Sequence, residues 1–175
     1  MTAVVTWFRN IIRALMLDAD FYNEAEVDRS MTVQAVCVVI VATTLSGIGS
    51  AIATDASIVL GAIAGGLTGV LGWLLWSWIA LVVGTKVFKG LADYGEMIRV
   101  IGFAFAPLAI GVVPWLGFVG AAWSLVAATI GIREGMDFDT KRAIGTVAVG
   151  WGAWLLLSVL VQVVLDIELL PRLPF

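Results

Sequence analysis

Side chains that could support chemistry are few in this sequence. There is no histidine, and among 175 residues there is a single cysteine, Cys37. Asp137 and Asp139 lie close together in a polar run, but two carboxylates are too few for a catalytic metal site. No P-loop, GxSxG, HExxH or CxxC motif occurs. The sequence therefore predicts no enzyme activity and no metal or cofactor.

The charge balance gives no sign of a nucleic-acid partner. Ten basic and thirteen acidic residues leave a net charge of −3, whereas a nucleic-acid interface needs a concentrated positive surface. Cys37 lies within an apolar stretch, where a lone thiol behaves as a small hydrophobic side chain. Because one cysteine cannot form an internal disulfide, the cysteine content favours neither a reducing nor an oxidising compartment.

Composition indicates a membrane protein. Hydrophobic residues make up 61% of the chain, charged residues 13%, and the mean hydropathy is +1.05, whereas soluble domains carry roughly 25% charged residues. Only helices and closed barrels span a bilayer, because backbone polar groups must be paired internally. The apolar stretches are continuous and do not alternate as barrel strands do. We therefore predict an all-α, polytopic bundle of transmembrane helices.

Five stretches are candidates for spans, each of which needs roughly 20 helical residues. They are residues 32–53, 57–85, 98–113, 115–132 and 143–165. The third and fourth are short and are joined only by Pro114, so a tight hairpin is predicted, with a re-entrant pair as the alternative. Arg99 is the only charged residue inside a stretch, and its long stem is expected to reach the interface.

The first 30 residues are predicted to form a separate N-terminal segment ahead of a membrane domain at residues 31–175. The apolar members of one helical face are Trp7, Phe8, Ile11, Ile12 and Leu15, and the polar members of the opposite face are Arg9, Asn10 and Arg13. Such a helix is too short and too charged to span, and is expected to lie flat at the membrane interface. An acidic segment, residues 18–28, follows it.

The basic residues predict the orientation. If the N-terminus is cytoplasmic, nine of the ten basic residues face the cytoplasm, and the opposite choice reverses this count. Since cytoplasmic loops carry the excess of Lys and Arg, we predict a cytoplasmic N-terminus and an outside C-terminus. An odd number of spans, such as five, agrees with this placement.

Small residues recur at four-residue spacing in two of the predicted spans. They are Gly61, Gly65 and Gly69 in the second span, and Gly120 and Ser124 in the fourth. Such spacing lets helices approach closely. These residues are predicted helix-packing positions, and the contact is either internal to the monomer or part of an oligomer.

Pro107 lies within the third predicted span and is expected to kink it. A proline leaves the carbonyl four residues earlier, at Phe103, without its helical partner. The kink is either static or a hinge of the kind found in the broken helices of transporters. The hinge supports an alternative function, that of a small transporter or channel subunit.

The densest polar run, residues 133–142, is predicted to contact a cytoplasmic partner or lipid headgroups. Its candidate residues are Arg133, Glu134, Lys141 and Arg142. Asp139 or Thr140 is expected to cap the fifth span. Lys141 and Arg142 would then anchor that span at anionic headgroups.

Residues 78–143 resemble the Ypt-interacting-protein (YIP) family of five-span membrane proteins. The resemblance is carried by Gly84, Phe88, Gly90, Gly95-Glu96, Arg99, Gly102, Ala106-Pro107, Pro114, Trp123, Gly131, Arg133-Glu134 and Lys141-Arg142-Ala143. The usual topology of that family, with a cytosolic N-terminus, agrees with the distribution of basic residues.

The resemblance implies a non-enzymatic scaffold or adaptor in membrane organisation or trafficking. Eukaryotic relatives bind prenylated small GTPases, but their Asp-Leu-Tyr-Gly-Pro-like element is missing here and the N-terminal segment is short. This puts binding of a small GTPase in doubt and favours the prokaryotic branch, hence a prokaryotic cell membrane. The expected partners are the lipid bilayer and either a second copy of the chain or another membrane protein.

Overall fold

The structure, a computed structural model, describes the backbone of residues 3–169 and the side chains of residues 4–153, 155 and 156. Within these residues every regular element is helical, which confirms the predicted all-α class. The α-helices are α1 (Ala3–Leu15), α2 (Ala19–Val27), α3 (Thr32–Ala53), α4 (Ile58–Val82), α5 (Tyr94–Ala104), α6 (Gly117–Gly135) and α7 (Thr140–Leu169).

In the part of the chain that the structure describes, three helical segments are long and apolar enough to cross a membrane, namely Arg29–Ala53, Ile58–Val87 and Tyr94–Val112. They coincide with the first three predicted spans. α6 and α7 occupy the positions of the fourth and fifth. The count of five, the sides of the two termini and the division of the chain at residue 30 remain predictions.

α3 and α4 form the most extensive contact between helices in the described residues. α4 begins after Ser57, whose side chain accepts a hydrogen bond from the Leu60 amide at 3.4 Å. The second predicted span is longer than a bilayer requires, and its final residues form one π-helical turn, Val83–Val87. This wider turn takes up part of the excess length.

The third predicted span is broken rather than bent. α5 ends at Ala104, and the chain continues as a 3₁₀ segment, Ala106–Val112, with Pro107 in its first turn. Pro107 has no amide hydrogen with which to continue the α-helical pattern. The kink predicted at Pro107 is therefore the junction between an α-helix and a narrower 3₁₀ segment.

A tight turn joins the 3₁₀ segment to α6. It contains only residues 113–116, and the Leu116 amide bonds to the Val113 carbonyl at 3.1 Å. Trp115 takes a left-handed conformation with φ 73°, which reverses the chain within this short distance. The predicted tight connection is present, and whether these two segments fully cross the bilayer remains a prediction.

The sequence pattern does not predict α2, which occupies the acidic segment. Asp18 caps it by accepting a hydrogen bond from the Phe21 amide at 3.3 Å. Phe21 and Tyr22 are fully buried, and the Phe21 ring meets the Phe103 ring of α5 edge to face, with centroids 4.8 Å apart. The core therefore includes the N-terminal residues. Its largest fully buried side chains are Tyr22, Phe21, Phe103, Met97, Ile101 and Ile132.

Candidate functional site

Arg99 fastens the N-terminal hairpin, which consists of α1 and α2, to the bundle. The side chain is only 4% exposed; its Nε donates to the Ala25 carbonyl at 2.8 Å, and its Nη2 donates to the Glu26 carbonyl. These carbonyls lie at the end of α2, where helical partners run out and the helix dipole is negative. The expectation that Arg99 reaches out to the interface is therefore wrong, because α2 supplies its acceptors inside the protein.

α1 packs on the bundle through Asn10, whereas Arg9 of the same polar face is exposed. The Asn10 side chain is 3% exposed, and its amide donates to Oε1 of Gln34 in α3 at 3.1 Å. Gln34 in turn donates to the Trp7 carbonyl at 2.9 Å. These buried polar groups are hydrogen-bonded, so α1 packs on α3 without the cost of an unpaired donor.

Part of the apolar face of α1 is left uncovered, while Ile11 and Leu15 of the same face pack against the core. Phe8 is 65% exposed, Ile12 54% and Met16 75%. An interfacial helix usually presents its polar face to water and its apolar face to acyl chains. Here Asn10 of the polar face is held by the protein, and Phe8, Ile12 and Met16 are directed outward, where lipid would cover them.

Arg13 closes the turn between α1 and α2. Its Nε lies 2.6 Å from Asp18 Oδ2, and its Nη1 lies 2.7 Å from Glu24 Oε2. The guanidinium also stacks on the Phe21 ring, with its Cζ 5.4 Å from the centroid. The hydrogen bond from Arg13 lowers the pKa of the Asp18 carboxyl below its ordinary value.

The candidate contact residues of the polar run fall into two groups. Glu134 accepts a hydrogen bond from Asn23 Nδ2 at 3.2 Å and so links α6 to α2, and it is also paired with Arg133 of its own helix. Lys141 and Arg142 are exposed in the first turn of α7. The Arg142 amide donates to Asp139 Oδ1 at 2.9 Å, which confirms the predicted cap.

Glu26 lies where α2, α5 and the loop after α6 meet. Burial raises the pKa of its carboxyl, and the negative charges of Glu96 and Asp137 raise it further. The nearby Arg99 opposes this shift. Protonation of Glu26 therefore acts at the end of α2.

The glycine series of α4 lies against α3. A Cβ on Gly65 would lie 2.6 Å from the Thr43 carbonyl oxygen, and one on Gly61 would lie 2.7 Å from that of Gly47. A Cβ on Gly69 would overlap the Thr43 side chain. The two backbones are thus closer than any other residue would permit. The structure places Gly61, Gly65 and Gly69 on a contact inside the monomer.

Gly120 and Ser124 of α6 pack on the junction at Pro107. A Cβ on Gly120 would lie 2.7 Å from the Pro107 carbonyl oxygen. The Ser124 hydroxyl donates to the carbonyl of Ala104, the last residue of α5. The structure therefore brings three predicted residues together at the break in the third span, where Ser124 pairs a carbonyl at the end of α5.

A cavity of about 310 Å³ lies beside this contact. Residues of α3, α4, α6, α7 and the broken third span line it. Its wall includes Thr43 and Gly47, Gly65 and Gly69, and Leu108 and Ser124. Members of both sets of predicted packing residues, Gly65 and Gly69 from one and Ser124 from the other, thus border one space.

Two glycines of the family resemblance accommodate the loop between α6 and α7. A Cβ on Gly84 would lie 2.6 Å from the Met136 methyl carbon, and one on Gly90 would lie 2.5 Å from the Phe138 ring. Met136 and Phe138 are both buried, and the Phe88 ring meets that of Phe138 edge to face at 6.2 Å. Because Gly84 and Gly90 carry no side chain, Met136 and Phe138 of this loop can pack against the end of the second span.

Sequence reasoning misses the residues that attach the N-terminal hairpin. Asn10 is predicted only as part of a polar face, and Phe21 and Tyr22 are not predicted as core. The sequence does contain a signal for α2 and its buried face, because Asp18 is a favourable cap and Phe21, Tyr22 and Ala25 share one helical face. The surrounding charges obscure it.

The described residues contain no cluster of three or more His, Cys, Asp or Glu side chains that could hold a metal ion. The buried polar side chains at the contacts described above serve structure instead. Asn10 and Gln34 join α1 to α3, Arg99 joins α5 to α2, and Ser124 joins α6 to α5. This arrangement provides attachment between helices.

The helical architecture and the apolar, membrane-length segments define a polytopic α-helical membrane protein. The family model described as the Yip1 domain matches residues 15–164. The chain therefore belongs to the Yip1 family, and the predicted resemblance is confirmed. Comparison with curated proteins and with solved structures gives no match.

Proposed function

We propose that this Yip1-family protein is a non-enzymatic scaffold or adaptor in membrane organisation or trafficking. The observation that carries the proposal is the N-terminal hairpin, which is fixed to the bundle yet leaves one side of α1 uncovered. Arg99 and the Asn23–Glu134 hydrogen bond hold it, while Phe8 and Met16 remain exposed. A rigidly positioned surface of this kind is suited to recruiting lipid or another membrane protein.

The proposed partners are the lipid bilayer and either a second copy of the chain or another membrane protein. Lys141 and Arg142 are exposed and carry the positive charge that anionic headgroups or an acidic partner segment would attract. Binding of a small GTPase remains in doubt, since the element found in eukaryotic relatives is missing. Placement in a prokaryotic cell membrane is part of the same proposal.

The second candidate function is that of a small transporter or channel subunit. One observation favours it, because the break at Pro107 adjoins the 310 Å³ cavity. Transporters often place substrates at broken helices near the middle of the bilayer. Such sites usually include a charged group, and none of the described residues that line this cavity is charged.

Flux measurement separates the two candidates. The purified full chain is reconstituted in vesicles, and the uptake of monovalent ions and small solutes is compared with that of protein-free vesicles. The scaffold proposal predicts equal uptake. Uptake that depends on the protein and is lost in Ala121→Phe, which places a ring at the cavity wall, would replace the proposal with the transporter.

Crosslinking tests the partner directly. A photoactivatable amino acid is placed at Phe8 or Lys141 in native membranes, with Ala56 in the loop before α4 as the control position. We expect protein crosslinks from Phe8 or Lys141, to a second copy or to another membrane protein, and none from Ala56. Crosslinks to lipid alone at both test positions would argue against an adaptor.

A further inference from the structure

We propose that the cavity between α3, α4, α6 and the broken third span holds one acyl chain of a bilayer phospholipid. This inference goes beyond the scaffold function and does not depend on it. It also differs from the transporter hypothesis, which would place a soluble solute in the same space.

The position of the cavity is the first argument. Its lining residues belong to the predicted spans, and none belongs to the loops at residues 54–57 or 113–116. Thr68, near the middle of α4, and Trp151, within α7, both line the cavity and are exposed. The mouth therefore lies at the depth of the hydrocarbon, where the surrounding solvent is acyl chains.

The chemistry of the wall is the second argument. Among the side chains that the structure describes, five that line the cavity carry a hydroxyl group: Thr43, Ser46, Ser50, Thr68 and Ser124. Three of them already donate to backbone carbonyls: Thr43 to Val39 at 2.7 Å, Thr68 to Ala64 at 2.6 Å, and Ser124 to Ala104. Glycine, alanine, leucine, phenylalanine and tryptophan form the rest of the wall. The donors of these three hydroxyl groups are thus used within the protein, and the apolar remainder of the wall offers a hydrocarbon chain dispersion contacts.

The size is the third argument. The volume of about 310 Å³ is near the lower end of the roughly 300–1,000 Å³ typical of small-molecule pockets. Trp76 and Phe105 are bulky parts of the wall, and Gly47, Gly65 and Gly69 contribute no side chain to it. A space of this kind suits a segment of a single chain rather than a whole lipid.

The test uses a phosphatidylcholine with a photoactivatable diazirine in the middle of one acyl chain. It is mixed into vesicles that contain the full-length protein, and labelled residues are mapped by mass spectrometry. We expect label on Ser124 and Thr43, which are 4% and 7% exposed and line the cavity. Leu67, which is 63% exposed on the outside of α4, provides the positive control. Label on Leu67 without label on Ser124 and Thr43 would overturn the proposal.

A matched pair of variants adds specificity. Ala121→Phe places a ring at the cavity wall and should abolish label on Ser124 and Thr43 while leaving Leu67 labelled. Ala122→Phe changes the neighbouring, exposed residue and should leave the whole pattern unchanged. Retention of internal label in a folded Ala121→Phe protein would contradict the assigned position of the chain.

If Ala121→Phe fails to fold, the access of water to the cavity wall tests the proposal independently. Ser46 is replaced by cysteine in a Cys37→Ala background, and the reconstituted protein is treated with a water-soluble methanethiosulfonate. We expect protection, because the acyl chain excludes water from this wall. Rapid modification would show a water-filled vestibule and overturn the proposal.

Discussion

Arg99 determines how the N-terminal hairpin sits on the bundle. The sequence marks it as exceptional, since it is the only charged residue within a predicted span. Its partner is not predictable from local pattern, because the Ala25 carbonyl lies 74 residues earlier in the chain. Burial of the guanidinium is tolerated because α2 ends at that point and offers carbonyls that need donors.

Removing the Arg99 guanidinium should loosen the hairpin. We expect Arg99→Met to lower the free energy of unfolding by about 2–3 kcal/mol, since charged hydrogen bonds to two carbonyls are lost. The measurement is thermal unfolding in detergent, together with limited proteolysis at residues 28–31, which should become faster. Arg142→Met, at an exposed position, is the control and should match wild type. Equal behaviour of the two variants would show that Arg99 does not hold α2.

Glu26 should make the hairpin sensitive to pH. Its pKa is raised above the ordinary value of 4.5, chiefly by burial, so the folded state holds the proton more tightly than the unfolded state. Stability should therefore rise as the pH falls from 7 toward 4.5, through the window between the two pKa values. Glu26→Gln should lack this component of the rise.

The measurement for Glu26 is the difference in thermal midpoint between pH 7 and pH 5. Asp20→Asn, an exposed change in the same helix, should keep the wild-type difference. A Glu26→Gln protein with the full wild-type difference would assign the pH response to another group.

The glycines can be compared by adding one methyl group. Gly65→Ala would bring its Cβ to 2.6 Å from the Thr43 carbonyl, whereas a Cβ on Gly152 of α7 meets nothing within 4 Å. We expect Gly65→Ala to destabilise the protein by about 1–3 kcal/mol through overpacking. Gly152→Ala should stabilise it by about 0.5–1 kcal/mol, because alanine favours a helix interior. Thermal unfolding in detergent checks both, and a stabilising Gly65→Ala would exclude close α3–α4 packing.

At the scale of elements, the broken third span shows what a local sequence pattern can and cannot predict. Pro107 predicts an interruption, because proline lacks an amide hydrogen. It does not predict a seven-residue 3₁₀ segment. That form depends on α6, whose Gly120 allows close approach and whose Ser124 binds the last carbonyl of α5.

The break should therefore depend on α6 more than on the proline. We expect Pro107→Ala to remain folded and inserted with little change in stability, because Gly120 and Ser124 still pack on the junction. Ser124→Ala should cost about 1–3 kcal/mol, since the Ala104 carbonyl loses its donor in a buried site. Thermal unfolding of both variants in detergent provides the comparison. A large loss in Pro107→Ala with none in Ser124→Ala would reverse this order.

At the scale of the whole molecule, hydropathy predicts the first three membrane-length segments well and the N-terminal part poorly. α3 has the predicted bounds, Thr32–Ala53, because the apolar stretch and the helix coincide. Hydropathy does not reveal α2, because its buried face has only three residues, Phe21, Tyr22 and Ala25, among charged neighbours. Its burial depends on α5 and α6, which no local pattern can convey.

The cavity likewise cannot be predicted from the sequence. The small residues that line it are predicted as packing positions, and packing positions normally fill space. The space exists because α3 packs on both α4 and the 3₁₀ segment, whereas α6 packs on the 3₁₀ segment and does not pack closely on α4. Such a gap follows from the arrangement of several helices.

The central claim is a five-span bundle with a cytoplasmic N-terminus, and cysteine accessibility tests it most directly. In a Cys37→Ala background, single cysteines replace Ala56, Val113, Leu91 and Lys141, which lie in or beside the connections between helices. Intact cells are treated with a membrane-impermeant thiol reagent. We predict that Ala56→Cys and Val113→Cys react, while Leu91→Cys and Lys141→Cys react only after permeabilisation. Reaction at Leu91→Cys in intact cells, or protection of Val113→Cys while Ala56→Cys reacts, would contradict the five-span account.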